Sequence, residues 1–193
     1  MIIAKIKVSI FLIVAVLGFI AEVREAEAGV LIRRPISYLT DGLVGYWTMD
    51  GSKVNWKTGA VTDSSGRGNT GFVTKMATST GAAAGKHGQA LNFDGVNDLV
   101  TIADSPSLDF TTYAYSFWFK TSTAANTAVI EKGSAQFFIF SDDSVCSGRW
   151  VVGWSSADVL CETKELNDNQ WHHIVHAYSD TDSRLFIDGV LDG

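Results

Sequence analysis

Short apolar or alternating runs, separated by Gly, Asn, Asp and Ser, follow one another from Asp41 to the end of the chain. Such runs are typical of β-strands. They lie at 43–49, 89–93, 99–102, 115–120, 128–132, 136–141, 149–154, 171–178, 184–187 and 190–191. Asp188-Gly189, between the last two runs, is the strongest hairpin signal in the chain. Residues 77–88 are small and polar and are predicted to form a loop.

Helical signals are absent from this pattern. No segment after residue 29 keeps an apolar period of 3.6 residues with caps at its ends. Many short strands joined by tight turns predict an all-β fold. We therefore expect a two-sheet antiparallel β-sandwich or jelly roll.

The first 28 residues have a different character. Two lysines, Lys5 and Lys7, precede an uncharged apolar run at 8–21, and small residues surround Ala28. This order is typical of a secretory signal peptide, predicted to be cut between Ala28 and Gly29. The alternative is an uncleaved membrane anchor, although the run is shorter than the roughly 20 residues that a span requires. Residues 29–40 are interpreted as a linker or edge strand.

The composition narrows the class of partner. The formal net charge is −6, whereas a nucleic-acid-binding surface is basic. Nucleic acid is therefore not expected, and neither is a membrane after cleavage of the signal peptide. The chain contains 6 Trp, 5 Tyr and 11 Phe, and these aromatic residues favour strands and supply surfaces on which ligands stack.

Export also affects the interpretation of the two cysteines, Cys146 and Cys161. In an oxidising compartment a lone pair of cysteines is expected to form a disulfide. The alternative is two free buried thiols. A zinc site is disfavoured because no C-x-x-C pair or histidine cluster accompanies them.

The stretch DSSGRGNTG, residues 63–71, contains the pattern G-x-G-x-x-G. A dinucleotide site would require a strand before it and a helix after it, but the following residues are β-branched and show no helical face. The oxygen-bearing side chains of Asp63, Ser64, Ser65 and Asn69 suit calcium, which takes six to eight oxygen ligands. A hydrogen-bonded turn without metal explains them equally well.

Five segments in order resemble a laminin-G-like domain of the concanavalin A-like jelly-roll group, common in secreted bacterial proteins. They are DGLVGYWTMDG, VTDSSGRGNTG, GKHGQALNFDGVNDLVTIADSPSLDF, YSFWFKT and NQWHHIVHAYSDTDSRLFIDGVLDG. The resemblance covers about four-fifths of the chain, with the domain placed at 41–193. Family domains continue past the FIDG hairpin with more strands, so the resemblance implies that the domain is incomplete at Gly193.

The resemblance implies a secreted or cell-surface binding module, often with calcium near one rim of the sandwich. Asp63 and Asn69 match the family's acidic turn, and Asp50 is a weaker candidate ligand. Trp171 and His173 match its W-H-H pattern and are interpreted as core packing. Catalysis is not expected, because the paired carboxylates of a glycoside hydrolase are missing from the strands.

The expected ligand is a glycan or an extracellular protein. Trp56, Trp150 and Trp154 are the candidate stacking residues, with core packing as the alternative for Trp150 and Trp154. Two other roles remain open: a structural spacer in a larger surface protein, and an accessory domain of a glycoside hydrolase.

Overall fold

The computed structural model describes residues 6–9, 41–123, 128–132, 137–142, 146, 149–155 and 158–192. The predicted cleavage site between Ala28 and Gly29 and the segment 29–40 lie outside the described residues. No helix in the described part of the chain is long and apolar enough to cross a membrane.

The described ranges are built from strands, with 3₁₀ turns at Gly51–Lys53 and Pro106–Leu108. The strands are β1 Ile6–Ser9, β2 Val54–Asn55, β3 Ala60–Val61, β4 Gly71–Thr74, β5 Ala82–Ala84, β6 Gln89–Phe93, β7 Leu99–Ile102, β8 Tyr113–Thr121, β9 Ala128–Lys132, β10 Phe137–Asp142, β11 Arg149–Ser155, β12 Asp158–Cys161, β13 His172–Ser179, β14 Asp182–Ile187 and β15 Val190–Leu191. The prediction of an all-β fold is confirmed.

Within the described residues, all strand pairs are antiparallel, and they form three sheets. A seven-stranded sheet has the order β15-β14-β13-β8-β1-β6-β5, and two four-stranded sheets have the orders β12-β11-β10-β9 and β2-β3-β4-β7. One apolar core joins all three sheets, with Phe117 from the first, Val152 from the second and Val61 from the third. This arrangement agrees with the predicted sandwich.

The central pair of strands, β8 and β13, fixes which side chains enter the core. Phe117 and Phe119 of β8 are buried, and they lie opposite Ile174 and His172 of β13. The alternate residues therefore point away from the core. The prediction that His173 packs in the core is wrong: His172 is the buried member, while His173 and Trp171 are partly exposed.

The hairpin prediction at Asp188-Gly189 is confirmed. Both residues have positive φ, 52° and 82°, as a type I′ turn requires. The predicted loop at 77–88 is corrected, because Ala82–Ala84 form the edge strand β5 beside β6. Alanine has little strand preference of its own, so pairing with β6 determines this strand.

The segment 43–49 alternates in burial as the pattern predicts, yet it forms no ladder with another strand. Its backbone is satisfied by the loop that begins at Asp63. The Tyr46 amide donates to Asp63 Oδ1 at 2.9 Å, and the Ser64 amide donates to the Tyr46 carbonyl at 2.7 Å. The alternation therefore indicates an extended segment with one buried face, which is not a strand of a sheet.

Strand β1 lies within the predicted signal peptide. It occupies the position between β6 and β8 and pairs with both. Cleavage after Ala28 would remove β1 and leave those two strands without the partner between them. Signal-peptide cleavage stays a prediction, and β1 belongs to the uncleaved chain.

The disulfide prediction is confirmed. Cys146 bonds to Cys161, with their Cα atoms 5.5 Å apart. The bond ties the connection between β10 and β11 to the last residue of β12, and the Cys146 side chain is buried.

Candidate functional site

The acidic turn at Asp63 is a closed hydrogen-bonded unit. Asp63 Oδ1 accepts from the amides of Tyr46 and Ser65, at 2.9 and 2.8 Å. Asp63 Oδ2 accepts from the Ser65 hydroxyl and the Asn69 amide, at 2.8 and 2.9 Å. Partial burial alone would raise the pKa of Asp63, but the hydrogen bonds from Ser65, Tyr46 and Asn69 lower it.

Glycines give this turn its shape. Gly66 and Gly68 have φ of 84° and 79°, and a Cβ at either position would meet no atom within 4 Å. Glycine is therefore needed at these two positions because the backbone is left-handed, a conformation that glycine tolerates best, and not because a side chain would clash. The structure thus assigns the G-x-G-x-x-G match to a turn, in agreement with the rejection of a nucleotide site.

Asn69 lies inward and fastens the turn to the sandwich. Its side chain is 6% exposed, and Nδ2 donates to the Val44 carbonyl and to Ser107 Oγ, both at 2.8 Å. Its backbone carbonyl accepts from the Trp47 indole N–H at 2.8 Å. All of these hydrogen bonds join Asn69 to other residues of the protein and hold the turn against the sandwich.

Asp50, the third predicted metal ligand, contributes to a different feature. Its Oδ1 accepts from the Gln89 amide at 2.7 Å, at the start of β6. A Cβ on Gly88 would lie 2.4 Å from the same oxygen, which explains the glycine there. Asp50 therefore anchors the turn between β5 and β6.

This geometry does not fit a calcium site. The carboxylate of Asp63 accepts four hydrogen bonds, which use its acceptor capacity. Within the described ranges, no three His, Cys, Asp or Glu side chains come close enough to share a metal ion. Calcium binding stays a prediction from the sequence, and the hydrogen bonds favour the alternative of a plain turn.

We expect the thermal midpoint of the protein to be the same in calcium and in EDTA, because Asp63 is already satisfied. A bound metal would instead raise stability by about 2.7 kcal/mol at 100-fold saturation. Differential scanning calorimetry in the two buffers distinguishes these results. As a control, Asp63→Ala is expected to cost about 1 kcal/mol without calcium, since it leaves partly buried amides unpaired. A calcium-dependent rise that Asp63→Ala abolishes would contradict the turn assignment.

Of the three predicted stacking residues, the structure describes the side chains of Trp56 and Trp150. Trp150 is 2% exposed and packs edge-on against Phe119, with ring centroids 5.3 Å apart. Its burial is incompatible with ligand stacking, so this prediction is wrong. Trp56 is partly buried and packs against the core. The backbone of Trp154 lies in β11, and its side chain lies outside the described residues.

A different tryptophan, Trp118, forms an aromatic surface on the outward face of the seven-stranded sheet. The His173 ring stacks on it, with centroids 4.9 Å apart and planes 25° apart. The turn between β5 and β6 brings the Lys86 ammonium to 4.9 Å from the ring centroid and the His87 ring to 6.0 Å. Ser116 Oγ lies 2.7 Å from His173 Nε2. We call these five residues the Trp118 surface.

The edge of this surface is held by the Asp188 turn. Asp188 Oδ1 accepts from the His173 amide at 2.9 Å, while Oδ2 contacts Lys164 Nζ at 2.5 Å and His172 Nδ1 at 2.9 Å. Burial alone would raise the pKa of Asp188, but the hydrogen bonds from Lys164, His173 and His172 lower it to about 2. Burial lowers the pKa of His173, opposed by Asp188. The ring of His173 is therefore neutral at pH 7.

The Trp118 surface is absent from the sequence-based predictions. Alternation along 115–120 places Ser116 and Trp118 on the face opposite the core residues. The sequence could therefore have predicted that both side chains point outward. The contribution of Lys86 and His87 could not be predicted from the sequence, because it depends on a turn about 30 residues away in the chain.

Comparisons with known proteins were made against family models, curated proteins and solved structures. The Laminin_G_3 family model, described as "Concanavalin A-like lectin/glucanases superfamily", matches residues 94–193. The matched range includes β7 to β15 and thus Trp118 and His173. No curated protein and no solved structure gave a significant match.

Proposed function

Because the chain belongs to the concanavalin A-like lectin/glucanases superfamily, we propose that it is a non-catalytic, secreted module that binds a carbohydrate. Laminin G-like domains are generally binding modules for extracellular glycans or proteins. The disulfide between Cys146 and Cys161 is consistent with an extracellular location.

The observation that supports a carbohydrate ligand is the Trp118 surface. Sugar rings have apolar faces that stack on aromatic side chains, and their hydroxyls need hydrogen-bonding groups at the rim. Trp118 and the His173 ring stacked on it supply the aromatic surface, and Ser116 and His173 supply polar atoms on neighbouring strands. Lys86 and His87 are exposed and reach the ring from a separate turn.

The Trp118 surface is a better candidate for the binding site than the exposed apolar residues elsewhere, because its residues lie on two paired strands. Trp118 and His173 are paired directly across β8 and β13, so a ligand would meet a platform already in place. Phe72, on β4 of another sheet, is 48% exposed. Substitution of Phe72 is therefore a matched control, because it removes an exposed aromatic ring from a different sheet.

We expect Trp118→Ala to weaken glycan binding about tenfold, the upper range of one aromatic contact. The measurement is affinity electrophoresis through a panel of soluble polysaccharides. Phe72→Ala is expected to migrate like the unmodified protein in every gel. Equal losses in both variants would place the site elsewhere. A folded chain that no polysaccharide retards would instead favour the spacer role or a protein ligand.

A further inference from the structure

We propose that cleavage of the signal peptide turns the place of β1 into an acceptor site for a β-strand of a partner polypeptide. We call this place, between β6 and β8, the β1 slot. The inference rests on the secretion that the proposed function includes, and it adds an interaction with a protein to the proposed carbohydrate binding. The partner segment is extended, with apolar residues at alternate positions and an acidic residue between them.

The β1 slot lies inside the seven-stranded sheet and not at its edge. Strand β1 has β8 on one side and β6 on the other, and it is antiparallel to both, so β6 and β8 run in the same direction. Direct pairing of β6 with β8 would make a parallel pair in an antiparallel sheet and would move β6 by about 4.8 Å, the spacing of one strand. Leu91 of β6, which is 1% exposed, would leave its packed position. Loss of β1 therefore leaves a gap that its neighbours do not close.

Both sides of this gap consist of backbone groups that need partners. The amides and carbonyls of β6 and β8 that bond to β1 lose those bonds when β1 is removed, and buried backbone groups are almost always paired in folded proteins. The other side of β8 already pairs with β13, and the other side of β6 already pairs with β5. An added strand would satisfy both sides of the gap at once, whereas strand addition at a sheet edge satisfies one.

The register of β1 defines which positions of a partner strand face the core. Val8 lies opposite Leu91 of β6 and Phe119 of β8, and both of those side chains are buried. Directly opposite residues share one face of a sheet, so the position of Val8 requires an apolar residue. The position of Ile6, two residues earlier, lies on the same face, and the requirement repeats there.

The position between these two is held by Lys7 in the uncleaved chain, and its charge does not suit the slot. Lys7 lies directly opposite Lys120 of β8, and like charges at opposite positions destabilise a pair of strands. Among the described residues, no ion pair uses Lys120. A strand with Glu or Asp at this position would complement Lys120. This mismatch favours a foreign strand over the leader, and also over β1 of a second copy, which carries the same lysine.

Peptides that copy residues 4–11 test the slot directly. The first has the natural sequence AKIKVSIF, the second carries Lys7→Glu, and the third carries Lys7→Glu with Val8→Pro, since proline cannot donate a hydrogen bond within a sheet. The protein would be exported from a bacterial host with its own leader, and mass spectrometry would identify the N-terminus of the product. Fluorescence anisotropy would then measure the dissociation constant of each labelled peptide.

We expect the product that begins at Gly29 to bind the Lys7→Glu peptide about fivefold more tightly than the natural peptide, because an attractive pair replaces a repulsive one. The preference should reverse in the Lys120→Glu protein, which keeps its fold because Lys120 is partly exposed. The peptide with Val8→Pro should not bind. Hydrogen exchange in β6 and β8 should slow when the Lys7→Glu peptide is bound.

The uncleaved chain, produced without export, is the matched control. It should bind every peptide at least tenfold more weakly than the cleaved product, because β1 is tethered to the slot at a high effective concentration. If the cleaved product is unfolded alone, the Lys7→Glu peptide should restore a cooperative melt.

Four results would overturn the inference. An exported product that keeps residues 6–9 would make β1 a permanent strand. Slow exchange in β6 and β8 of the cleaved product without peptide would mean that the slot is closed or filled by the chain itself. Equal binding of the peptides with and without Val8→Pro would indicate non-specific adhesion. An unfolded cleaved product that no peptide folds would exclude strand addition. Retardation of the same product by polysaccharides is measured separately, so failure of the carbohydrate function is distinguished from failure of the slot.

Discussion

Acidification from pH 7 to pH 4 is expected to lower the free energy of unfolding by about 3 kcal/mol through His176 alone. His176 is fully buried, between the rings of Tyr113 and Tyr115, with centroids 5.7 and 5.2 Å from its own. Burial lowers the pKa of His176 from 6.5 to about 4. The folded protein therefore holds this ring neutral where the unfolded chain would protonate it.

The direction of the effect follows from the two pKa values. Between pH 6.5 and pH 4 the unfolded state binds more protons than the folded state, so stability falls as the pH falls. The loss is about 2 kcal/mol at pH 5 and is nearly complete at pH 4. Asp188 affects stability over a lower pH range, because its stabilising charge is lost only as the pH falls from 3.8 towards about 2.

Urea unfolding at a series of pH values measures this dependence. His176→Phe removes the titrating group and also the buried Nδ1 atom, which has no hydrogen-bond partner. We expect its free energy of unfolding to lose most of its pH dependence between pH 6.5 and pH 4, with a smaller slope left from His173, whose pKa is also lowered by burial. His176→Gln keeps a polar side chain and gives a second test of the slope. A His176→Phe variant with an unchanged slope would contradict the assignment.

The fold was largely predictable because its main strands are coded locally. The strands β6, β7, β9 and β15 have the predicted bounds, since turn residues flank each apolar run. The short strands β2, β3, β4, β5 and β12 were missed, and β1 lies in the segment predicted to be a signal peptide. Strands of two to four residues contain too little alternation to detect, and pairing with neighbouring strands determines them.

The candidate site was less predictable, and Trp150 and Trp118 show why. Both are tryptophans in predicted strands, yet Trp150 enters the core and Trp118 faces outward. Alternation divides a strand into two faces but does not say which face a second sheet will cover. The same ambiguity led to the wrong assignment of His173. Contacts from a remote turn, such as that of Lys86, lie beyond any local pattern.

Reduction of the disulfide between Cys146 and Cys161 is expected to lower the free energy of unfolding by about 3 kcal/mol, the entropy change for a closed loop of about 15 residues. The cysteines are separated by 15 positions, and β11 lies between them. The bond restricts the unfolded chain in this region, and its loss frees the unfolded chain more than the folded one.

Trp150 can be used to follow unfolding of this region, because it lies in the loop that the disulfide closes. The Trp150 ring packs on Phe119 of β8, so β11 carries a core residue that bridges two sheets. β12 is held at its last residue by pairing of Cys161 with Val151. Because the bond acts on the unfolded chain, we expect the folded reduced protein to retain the near-ultraviolet circular dichroism of tryptophan and to lose it at a lower urea concentration than the oxidised protein.

Urea unfolding of the oxidised and the dithiothreitol-treated protein measures the difference. The double variant Cys146→Ala/Cys161→Ala is the control: it should match the reduced protein and should not respond to dithiothreitol. A difference below about 1 kcal/mol between oxidised and reduced protein would mean that the reduced chain already holds the loop closed through β11 and β12 pairing. The chain-entropy explanation would then be wrong, and the four-stranded sheet itself would account for the order of this region.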